Sequence, residues 1–517
     1  MDQRKYAEGS QAMVVSGHDQ ATQTAIDILS GGGSIADAAI AGAAVLSVAL
    51  PHACGLGGDA FILVHDARSG RTTGINASGM SPALASRQRF PDGLQERGPL
   101  SCNVPGMVSG WQALHEQFGR MAWSDILKPS IRLAREGVEV SRILARATDQ
   151  HQAMLAGDSG SSRLFLADGR PLAVGDVLKQ PALVQTLEAV ARDGAAGFYQ
   201  GEVARSIARA CEAAGGLIRE SDMAAYQPQW VDAIATSFAG HEIRTMPPNS
   251  YGLYLLLQMM ALEASRGEPA GGLAAPARIA RLVRAAQAAF FVGARAVADP
   301  DPRYAADSVQ TLLGPEGRAR LAQAQAGRPA NRGGTAVITV ADKNGNAVTI
   351  IQSVFLVFGS GVSDAQTGVL LNNRLYGFTM EENHPNEVGP HKRPAHTLCP
   401  AMVFKNNRLR YALSTPGGPG QTLTLAQVMQ ALIEEGVSLA DAVQAPRWTM
   451  DLSGAALAED SMPADLVAEV ARLGVPIRAG EAGSPYFGSV KGIALQEDGR
   501  LCGVADDRRD ATVRSLT

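Results

Sequence analysis

Apolar residues in the first 330 positions recur mainly at three- and four-residue intervals, the spacing of amphipathic helices. This spacing predicts helices over 19–29, 123–137, 182–193, 203–214 and 275–298. Residues 34–37 resemble a capping box and open a further, buried helix through the alanine-rich stretch 38–50. The apolar run 61–64 instead predicts a buried strand. The first part of the chain is therefore expected to be mostly helical.

The pattern changes at Thr335. Residues 312–334 are polar and small, which predicts a mobile connector, and the runs 335–341 and 347–353 are rich in β-branched residues. Asn344-Gly345 between those runs is a strong hairpin signal. A two-residue turn would pair Thr335 with Val354, whereas a three-residue loop with Gly345 in the left-handed conformation pairs it with Ser353. We favour the second register.

Composition excludes several classes of protein. With 46% hydrophobic and 19% charged residues and a net charge of -4, the chain fits a globular enzyme without a basic surface for nucleic acid or an anionic membrane. The apolar stretch 38–50 is too short to span a bilayer and Pro51 follows it. Five cysteines without a CxxC pair suggest neither a disulfide framework nor a zinc site. The first residues lack a secretory signal, so a cytoplasmic location is expected.

The junction between connector and strand carries candidate chemistry. Gly334 offers an unhindered carbonyl, and the hydroxyl of Thr335 can attack that peptide bond to form an ester that water then cleaves. The new α-amine of Thr335 has a pKa suited to a general base, so one residue supplies both nucleophile and base. We therefore expect self-cleavage between Gly334 and Thr335, with Thr335 as the nucleophile of the mature enzyme.

Two further features suit such a nucleophile. Ser353, opposite Thr335 in the favoured register, is a candidate to hold the nucleophilic oxygen, although a serine satisfied within a sheet is the alternative. The glycines of the 414–420 loop, Gly417 and Gly418, are candidate backbone donors to an oxyanion. That loop is a weak signal by itself, because Pro-Gly-Gly is more often a plain turn.

Other chemistries find less support. Gly55-x-Gly57-x-x-Ala60 matches a dinucleotide fingerprint, but a strand should precede it and here the strand follows. The chain has no Gly-x-Ser-x-Gly elbow and no His-Glu-x-x-His motif. Neither a serine triad, a metal nor a cofactor is therefore expected.

These features occur together in the γ-glutamyltransferase family of N-terminal nucleophile hydrolases, which the chain resembles along nearly its whole length. The matching segments, in family order, are 20–22, 37–39, 55–58 with Phe61, 105–106, Trp123, 134–137, Thr335, 342–348, 358–361, 370–373, 392–394, 416–418 and 445–447.

The resemblance implies an α+β fold, a four-layer αββα sandwich that cleaves itself into two chains. The large chain would comprise residues 1–334 and the small chain residues 335–517, together forming one structural domain. Thr335 would be the nucleophile, Gly417 and Gly418 the oxyanion loop, and Ser353 would stand where the family has a threonine.

The chain differs from the family pattern at the positions where its transferases bind a glutamyl group. Ser78 replaces an arginine, Phe355 an amide and Gly377 an acid, while His396 and Thr397 replace paired serines.

Arg374 and His396 are new donors in that region and suit, with Thr397, a small anionic acyl group. The alternatives are a surface ion pair for Arg374 and a satisfied core histidine for His396. Tyr376 and Asn249 lie in plausible pocket loops and receive no role.

This pattern is similar to cytoplasmic members of the family that act in purine breakdown. The expected reaction is hydrolysis of the amide of a small carboxylate, oxamate, to oxalate and ammonia. The alternatives are γ-glutamyl hydrolysis or transfer, a glutaryl- or cephalosporin-type acylase, and an uncleaved binding protein. The expected partners are the small amide substrate and the two chains of one precursor, with a homo-oligomer possible and no nucleic acid or membrane.

Overall fold

The computed structural model describes residues 4–267, 271–329 and 333–517. Its strands are β1 (Tyr6–Gly9), β2 (Ala12–Ser16), β3 (Asp59–Asp66), β4 (Arg71–Ala77), β5 (Val138–Glu139), β6 (Leu166–Ala167), β7 (Arg170–Pro171), β8 (Val177–Leu178), β9 (Gln229–Asp232), β10 (Ile234–Phe238), β11 (His241–Thr245), β12 (Ala336–Asp342), β13 (Ala347–Ser353), β14 (Ser363–Asp364), β15 (Val369–Leu370), β16 (Ala401–Lys405), β17 (Arg408–Ser414), β18 (Trp448–Met450), β19 (Ala456–Ala458), β20 (Ile477–Ala479), β21 (Lys491–Leu495), β22 (Leu501–Ala505) and β23 (Thr512–Leu516).

The helices follow the same order along the chain. The α-helices are α1 (Asp19–Ser30), α2 (Ile35–Ala49), α3 (Met107–Phe118), α4 (Trp123–Glu136), α5 (Arg142–Gln150), α6 (Gln152–Ala156), α7 (Ser159–Phe165), α8 (Pro181–Asp193), α9 (Ala196–Tyr199), α10 (Gly201–Ala213), α11 (Glu220–Ala225), α12 (Gly252–Ala264), α13 (Pro276–Gly293), α14 (Val309–Leu312), α15 (Pro315–Ala322), α16 (Gly420–Ile433), α17 (Leu439–Gln444) and α18 (Ala464–Arg472). Short 3-10 helices span Arg87–Arg89, Pro99–Ser101, Pro302–Asp307, Arg374–Gly377 and Pro485–Phe487.

Two seven-stranded sheets form the centre of the molecule. Sheet I has the order β23-β2-β12-β13-β3-β4-β9, and sheet II has the order β1-β22-β21-β17-β16-β11-β10. Neighbouring strands in both sheets are antiparallel. β12 and β13 are buried along almost their whole length, on both faces, so each face must be covered by another layer.

Three large clusters of apolar side chains separate four layers. Alternate residues of sheet I, such as Val337, Ile351 and Phe61, meet Met402 and Ile493 of sheet II in the inner cluster. The other face of sheet I packs against helices that include α1 to α4, and the other face of sheet II packs against α12, α13 and α16. The order helix, sheet, sheet, helix confirms the predicted αββα sandwich.

Periodicity located the long helices well. α1, α4, α8 and α10 begin and end within two residues of the predicted bounds, and α13 ends five residues early, at Gly293 rather than 298. The predicted capping box opens α2, where the Ser34 hydroxyl accepts from the Asp37 N–H at 3.1 Å. The Asp37 carboxylate in turn accepts from the Ser34 N–H at 2.8 Å.

The predicted mobile connector over 312–334 is wrong in part, because it contains α15. Pro315 occupies the first turn of that helix, where a missing N–H does no harm, and Glu316 pairs with Arg320 at 2.6 Å. Residues 330–332 of the connector lie outside the described residues. The first half of the chain also holds more strand than predicted, because β2 is buried on both faces and shows no alternation.

Both sheets combine strands from the two sides of the Gly334–Thr335 junction. In sheet I, β12 pairs with β2 and β13 pairs with β3. In sheet II, β16 pairs with β11 and β22 pairs with β1. The two parts of the chain therefore share one hydrogen-bonded framework.

Within residues 4–267, 271–329 and 333–517, no helix is both long and apolar enough to cross a bilayer. The same residues contain no group of three or more His, Cys, Asp or Glu side chains arranged to hold a metal ion. All five cysteines are buried free thiols.

Candidate active site

The β12–β13 hairpin brings Thr335 opposite Ser353. The Asp342 N–H donates to the Asn346 carbonyl at 3.0 Å, so residues 343–345 form a three-residue loop. Gly345 has φ of +89° in this loop, as predicted. The register runs from Ala341 with Ala347 to Ala336 with Gln352, and its next pair is Thr335 with Ser353. The predicted register is confirmed.

The same row continues into β3, because Ser353 pairs with Asp59. Side chains alternate along a strand, and Val337, Ile351 and Phe61 point between the sheets, so residues two positions away do the same. Thr335, Ser353 and Asp59 thus form a cross-strand row that faces sheet II. Two strand spacings, roughly 10 Å, separate its ends.

Two hydroxyl groups converge on the carbonyl of the bond expected to break. The Gly334 carbonyl oxygen accepts from Thr335 Oγ1 at 2.6 Å and from Ser353 Oγ at 2.5 Å. Ser353 Oγ also accepts from the Phe355 N–H at 2.7 Å, which fixes the hydroxyl in this orientation. Ser353 was predicted to contact the Thr335 hydroxyl oxygen. The Ser353 hydroxyl instead donates to the Gly334 carbonyl, the group that this oxygen would attack.

The Thr335 hydroxyl has another partner, Gln421. Its Nε2 donates to Thr335 Oγ1 at 3.3 Å, while its Oε1 accepts from the Cys399 N–H at 3.0 Å. Gln421 is buried in the first turn of α16. Sequence reasoning missed this residue, although a glutamine in an apolar, fully buried helix is a signal that polar partners lie close by.

The Gly417 and Gly418 loop leads directly into that turn. Both glycines have positive φ, +129° and +57°, which a residue with a side chain adopts only with strain. Their carbonyls accept from the N–H groups of Gly420 and Gln421, each at 3.1 Å. Among the hydrogen bonds of the described residues, neither the Gly417 nor the Gly418 N–H donates to another protein group. The loop is therefore connected to the Thr335 hydroxyl through Gln421, and its oxyanion role stays a prediction.

A second cluster surrounds Arg374, which is completely buried. Its Nε donates to Asp59 Oδ2 at 2.7 Å, and its Cζ lies 4.0 Å from the centre of the Phe355 ring. Its two terminal nitrogens have no partner among the described residues. Burial lowers the pKa of this guanidinium, which Asp59 opposes, but arginine stays protonated in proteins. A buried cation with a free donor edge is suited to an anion, and it excludes the alternative of a surface ion pair.

Asp59 anchors this cluster. Oδ2 also accepts from His396 Nε2 at 3.1 Å, and Oδ1 accepts from the Gly79 N–H at 2.6 Å. Burial alone would raise the pKa of this carboxyl, but the charge of Arg374 and the bonds from His396 and Arg374 outweigh burial and lower it. Asp59 is thus a carboxylate. Sequence reasoning missed it, although an acid at the start of a buried strand requires a partner.

His396 is not the direct donor to substrate that the sequence predicted. Its Nδ1 accepts from the Leu398 N–H at 3.3 Å and its Nε2 donates to Asp59, so both ring nitrogens are used. Burial, followed by the charge of Arg374, lowers the pKa of His396 to about 4. The ring is therefore neutral at pH 7, and the alternative of a satisfied core histidine is the one observed.

Phe355 connects the two clusters. It adopts φ of +79°, uncommon for a bulky residue, and its carbonyl accepts from the Gly334 N–H. A Cβ at Gly333 would lie 3.3 Å from the Phe355 ring and 3.5 Å from the hydroxyl oxygen of Thr397. Arg374 and Thr397 thus both lie close to the end of the connector. Of the predicted binding residues, Thr397 borders Gly333, Arg374 lies against the Phe355 ring and His396 contacts Asp59.

Asn249 and Tyr376, which the sequence placed in plausible pocket loops, have structural partners. Asn249 donates from Nδ2 to the Ser78 hydroxyl at 3.2 Å and to the Pro394 carbonyl at 2.5 Å. Ser78, where the family has arginine, is thereby tied to the loop that carries His396. Tyr376 is half-buried in the same 3-10 helix as Arg374, and its N–H donates to the Asn373 carbonyl at 3.3 Å.

Two antiparallel sheets between helical layers, with a threonine hydroxyl just before a central strand, are typical of N-terminal nucleophile hydrolases. The family model of Gamma-glutamyltranspeptidase matches residues 21–516, and the chain belongs to this family. The protein is therefore an amidohydrolase of the N-terminal nucleophile type.

Individual relatives differ in the substrates that their names indicate. The chain is 31% identical to the Glutathione hydrolase-like YwrD proenzyme of Bacillus subtilis (strain 168), over 97% of this chain and 98% of that protein. It is 30% identical to the Oxamate amidohydrolase proenzyme of Klebsiella pneumoniae, over 96% of this chain and 97% of that protein. The solved cephalosporin acylase from Bacillus halodurans superposes with a TM-score of 0.93 at 29% identity, covering 100% of this chain and 98% of that one.

Proposed function

We propose that the protein is a proenzyme that cuts itself between Gly334 and Thr335. The products are a large chain, residues 1–334, and a small chain, residues 335–517, which stay together as one domain. Thr335 then hydrolyses the amide of a small carboxylate substrate, oxamate, to oxalate and ammonia. The five buried free thiols fit a reducing compartment such as the cytoplasm, where purine breakdown would supply oxamate.

Self-cleavage begins with attack of Thr335 Oγ1 on the Gly334 carbonyl carbon. The hydroxyl proton moves to the amide nitrogen, the C–N bond breaks and an ester forms between Gly334 and the Thr335 side chain. Water then hydrolyses the ester, leaving a Gly334 carboxylate and a free Thr335 α-amine. The 2.5 Å contact between the Ser353 hydroxyl and the carbonyl oxygen supports a role for Ser353 in stabilising the negative charge that develops there.

In the mature enzyme the α-amine of Thr335 is the general base. It takes the Oγ1 proton as that oxygen attacks the substrate amide, and ammonia leaves after receiving the proton. Water hydrolyses the resulting acyl ester and releases the dicarboxylate. The N–H groups of Gly417 and Gly418 are the proposed donors to the oxyanion in both steps.

The observation that carries the choice of substrate is the free edge of Arg374. Its two terminal nitrogens lack partners, and a carboxylate can accept from both at once. The Phe355 ring stacks on this guanidinium and also borders Gly333, so an anion bound at Arg374 lies close to the reacting carbonyl. Oxamate carries its carboxylate directly next to the amide that Thr335 would attack, so this anion site would bind the group adjacent to the reacting carbon.

A γ-glutamyl substrate fits less well, because it carries an α-amino group as well as an α-carboxylate. Gly377 stands where the family has an acid and offers no charge for the amine, and the Ser78 hydroxyl is engaged by Asn249. A glutaryl-type acyl group is the second candidate, because it has one terminal carboxylate and no amine. The similarity to a cephalosporin acylase favours it.

A substrate panel tests the proposal. The purified enzyme is given oxamate, a glutaryl amide and γ-glutamyl-p-nitroanilide, with release of ammonia or amine measured and the Thr335→Ala variant as the blank. Release of ammonia from oxamate alone supports the proposal. Turnover of the glutaryl amide instead moves the assignment to the second candidate, and preference for the γ-glutamyl substrate contradicts both.

A further inference from the structure

We infer that Gln421 is a further catalytic residue, which donates to the oxygen of Thr335 as negative charge develops on it. This inference rests on the proposed role of Thr335 but not on the identity of the substrate. The contact is direct, at 3.3 Å from Gln421 Nε2 to Thr335 Oγ1.

The orientation of the Gln421 amide follows from its second contact. A backbone N–H can only donate, so the atom that faces the Cys399 N–H at 3.0 Å must be the amide oxygen. The amide nitrogen then faces Thr335. Because Cys399 belongs to the buried segment after His396, this contact holds the side chain from the sheet II side.

The backbone of Gln421 is held just as firmly. Its N–H donates to the Gly418 carbonyl at 3.1 Å, and the residue sits in the first turn of a helix whose side chains are all buried up to Leu432. A buried amide without hydrogen bonds costs roughly 2 kcal/mol or more, so a glutamine in this apolar helix depends on its partners. Preorganised donors of this kind need no rearrangement when the reaction occurs.

A second glutamine of α16, Gln427, shows what a structural role looks like. Its Nε2 donates to the Leu423 and Trp448 carbonyls, and its Oε1 accepts from the Trp448 N–H. All partners of the Gln427 side chain are backbone groups, whereas the amide nitrogen of Gln421 donates to the Thr335 hydroxyl. Gln427 therefore provides a matched control on the same helix.

The chemistry explains what the donor would do. In the precursor the Thr335 hydroxyl donates to the Gly334 carbonyl and accepts from Gln421. When Oγ1 loses its proton during attack, the oxygen becomes more negative and its bond from Gln421 strengthens. The same oxygen is the leaving group when water cleaves the acyl ester, so the donor assists that step as well.

Two substitutions separate this role from packing. Gln421→Glu keeps an acceptor for Cys399 but replaces the donor with an acceptor, and Gln421→Met keeps the length while removing both. We expect each to slow self-cleavage at least tenfold, followed by intact mass. In the processed fraction we expect kcat to fall at least tenfold, with KM within threefold of wild type, whereas Gln427→Glu keeps kcat within twofold.

Self-cleavage needs no added substrate, so the result is informative whichever amide the enzyme hydrolyses. If folded Gln421→Glu and Gln421→Met process and turn over like Gln427→Glu, Gln421 is structural and the inference is wrong. If the Thr335→Ala variant still cleaves itself and retains activity, the proposed function fails and the inference fails with it. An inactive Thr335→Ala variant beside unaffected Gln421 variants overturns the inference alone.

Discussion

The nucleophile side and the anion side of the site begin in one cross-strand row, yet they are built differently. Around Thr335, the groups that converge are hydroxyls, amides and carbonyls without net charge. Around Arg374, a full positive and a full negative charge are buried together. The neutral side depends on strand register, whereas the charged side joins segments that are far apart along the chain.

Under the proposed function, this difference separates the reaction, at Thr335, from substrate specificity, at Arg374. Replacing a whole buried ion pair by apolar residues of similar volume often costs no stability, so stability alone does not explain the charged side. Holding Arg374 by its Nε leaves its other edge for an anion. Thr335 would then react with any amide whose anionic group is bound at Arg374.

Removing the nucleophile should have the largest effect. Thr335→Ala lacks the oxygen that attacks both the Gly334 carbonyl and the substrate, so we expect a single full-length chain and no turnover. Intact mass and ammonia release measure the two outcomes. Thr335→Ser keeps a hydroxyl and should still process; a processed, active alanine variant would show that the reaction lies elsewhere.

Breaking the charged side should spare processing but not turnover. We expect Arg374→Met to lower kcat/KM for a carboxylate amide by about 100-fold or more, because two charge-assisted hydrogen bonds are lost at roughly 1.5–3 kcal/mol each. Intact mass should still show two chains.

The control for this variant is the double substitution Asp59→Asn, Arg374→Met. It removes the carboxylate that the single variant leaves buried without a cation, and should recover thermal stability without recovering activity. Equal activity of wild type and Arg374→Met would place anion binding at another group.

Removing one donor from the neutral side should slow self-cleavage rather than abolish it, as Thr335→Ala should. Ser353→Ala removes the donor to the Gly334 carbonyl, and we expect self-cleavage to slow roughly tenfold to 100-fold. Ser353→Thr keeps the hydroxyl and serves as control. A time course of intact mass after rapid purification gives the rate, and an unchanged rate would mean that the carbonyl needs no second donor.

The smallest effect concerns pH. The pKa of His396 is about 4 in the folded protein and near 6.5 in an unfolded chain, so unfolding takes up a proton between these values. Stability should therefore fall as pH falls from about 6.5 to 4, by up to about 3 kcal/mol. Chemical denaturation of wild type and His396→Asn across this range measures it. Parallel curves would show that His396 does not contribute.

The neutral side was largely predictable from sequence, because its signals are local. Asn344-Gly345 between two β-branched runs predicted the hairpin but allowed two registers, and the choice of a three-residue loop placed Ser353 opposite Thr335. The hydrogen bond that Ser353 makes was not predictable, because strand register fixes the position of a residue but not its hydrogen-bond partner. Gln421 was missed for a related reason: it lies 86 positions from Thr335 and enters the site through a helix turn.

The charged side was predictable only as a set of unusual residues. Arg374 was noticed because it departs from the family pattern, but its partner Asp59 is 315 positions away. Nothing local to either residue connects them. His396 was misread because its buried neutral state depends on Asp59 and on the surrounding core, which only the folded structure reveals.

The sharing of strands across the Gly334–Thr335 junction has a consequence for the life of the enzyme. Under the proposed function, the precursor folds as one chain, and after cleavage the same sheets would join two molecules through β12 with β2 and β13 with β3. Refolding then becomes a second-order event, which dilution slows and which competes with aggregation. The lifetime of the processed enzyme would thus depend on how slowly it unfolds rather than on how efficiently it refolds.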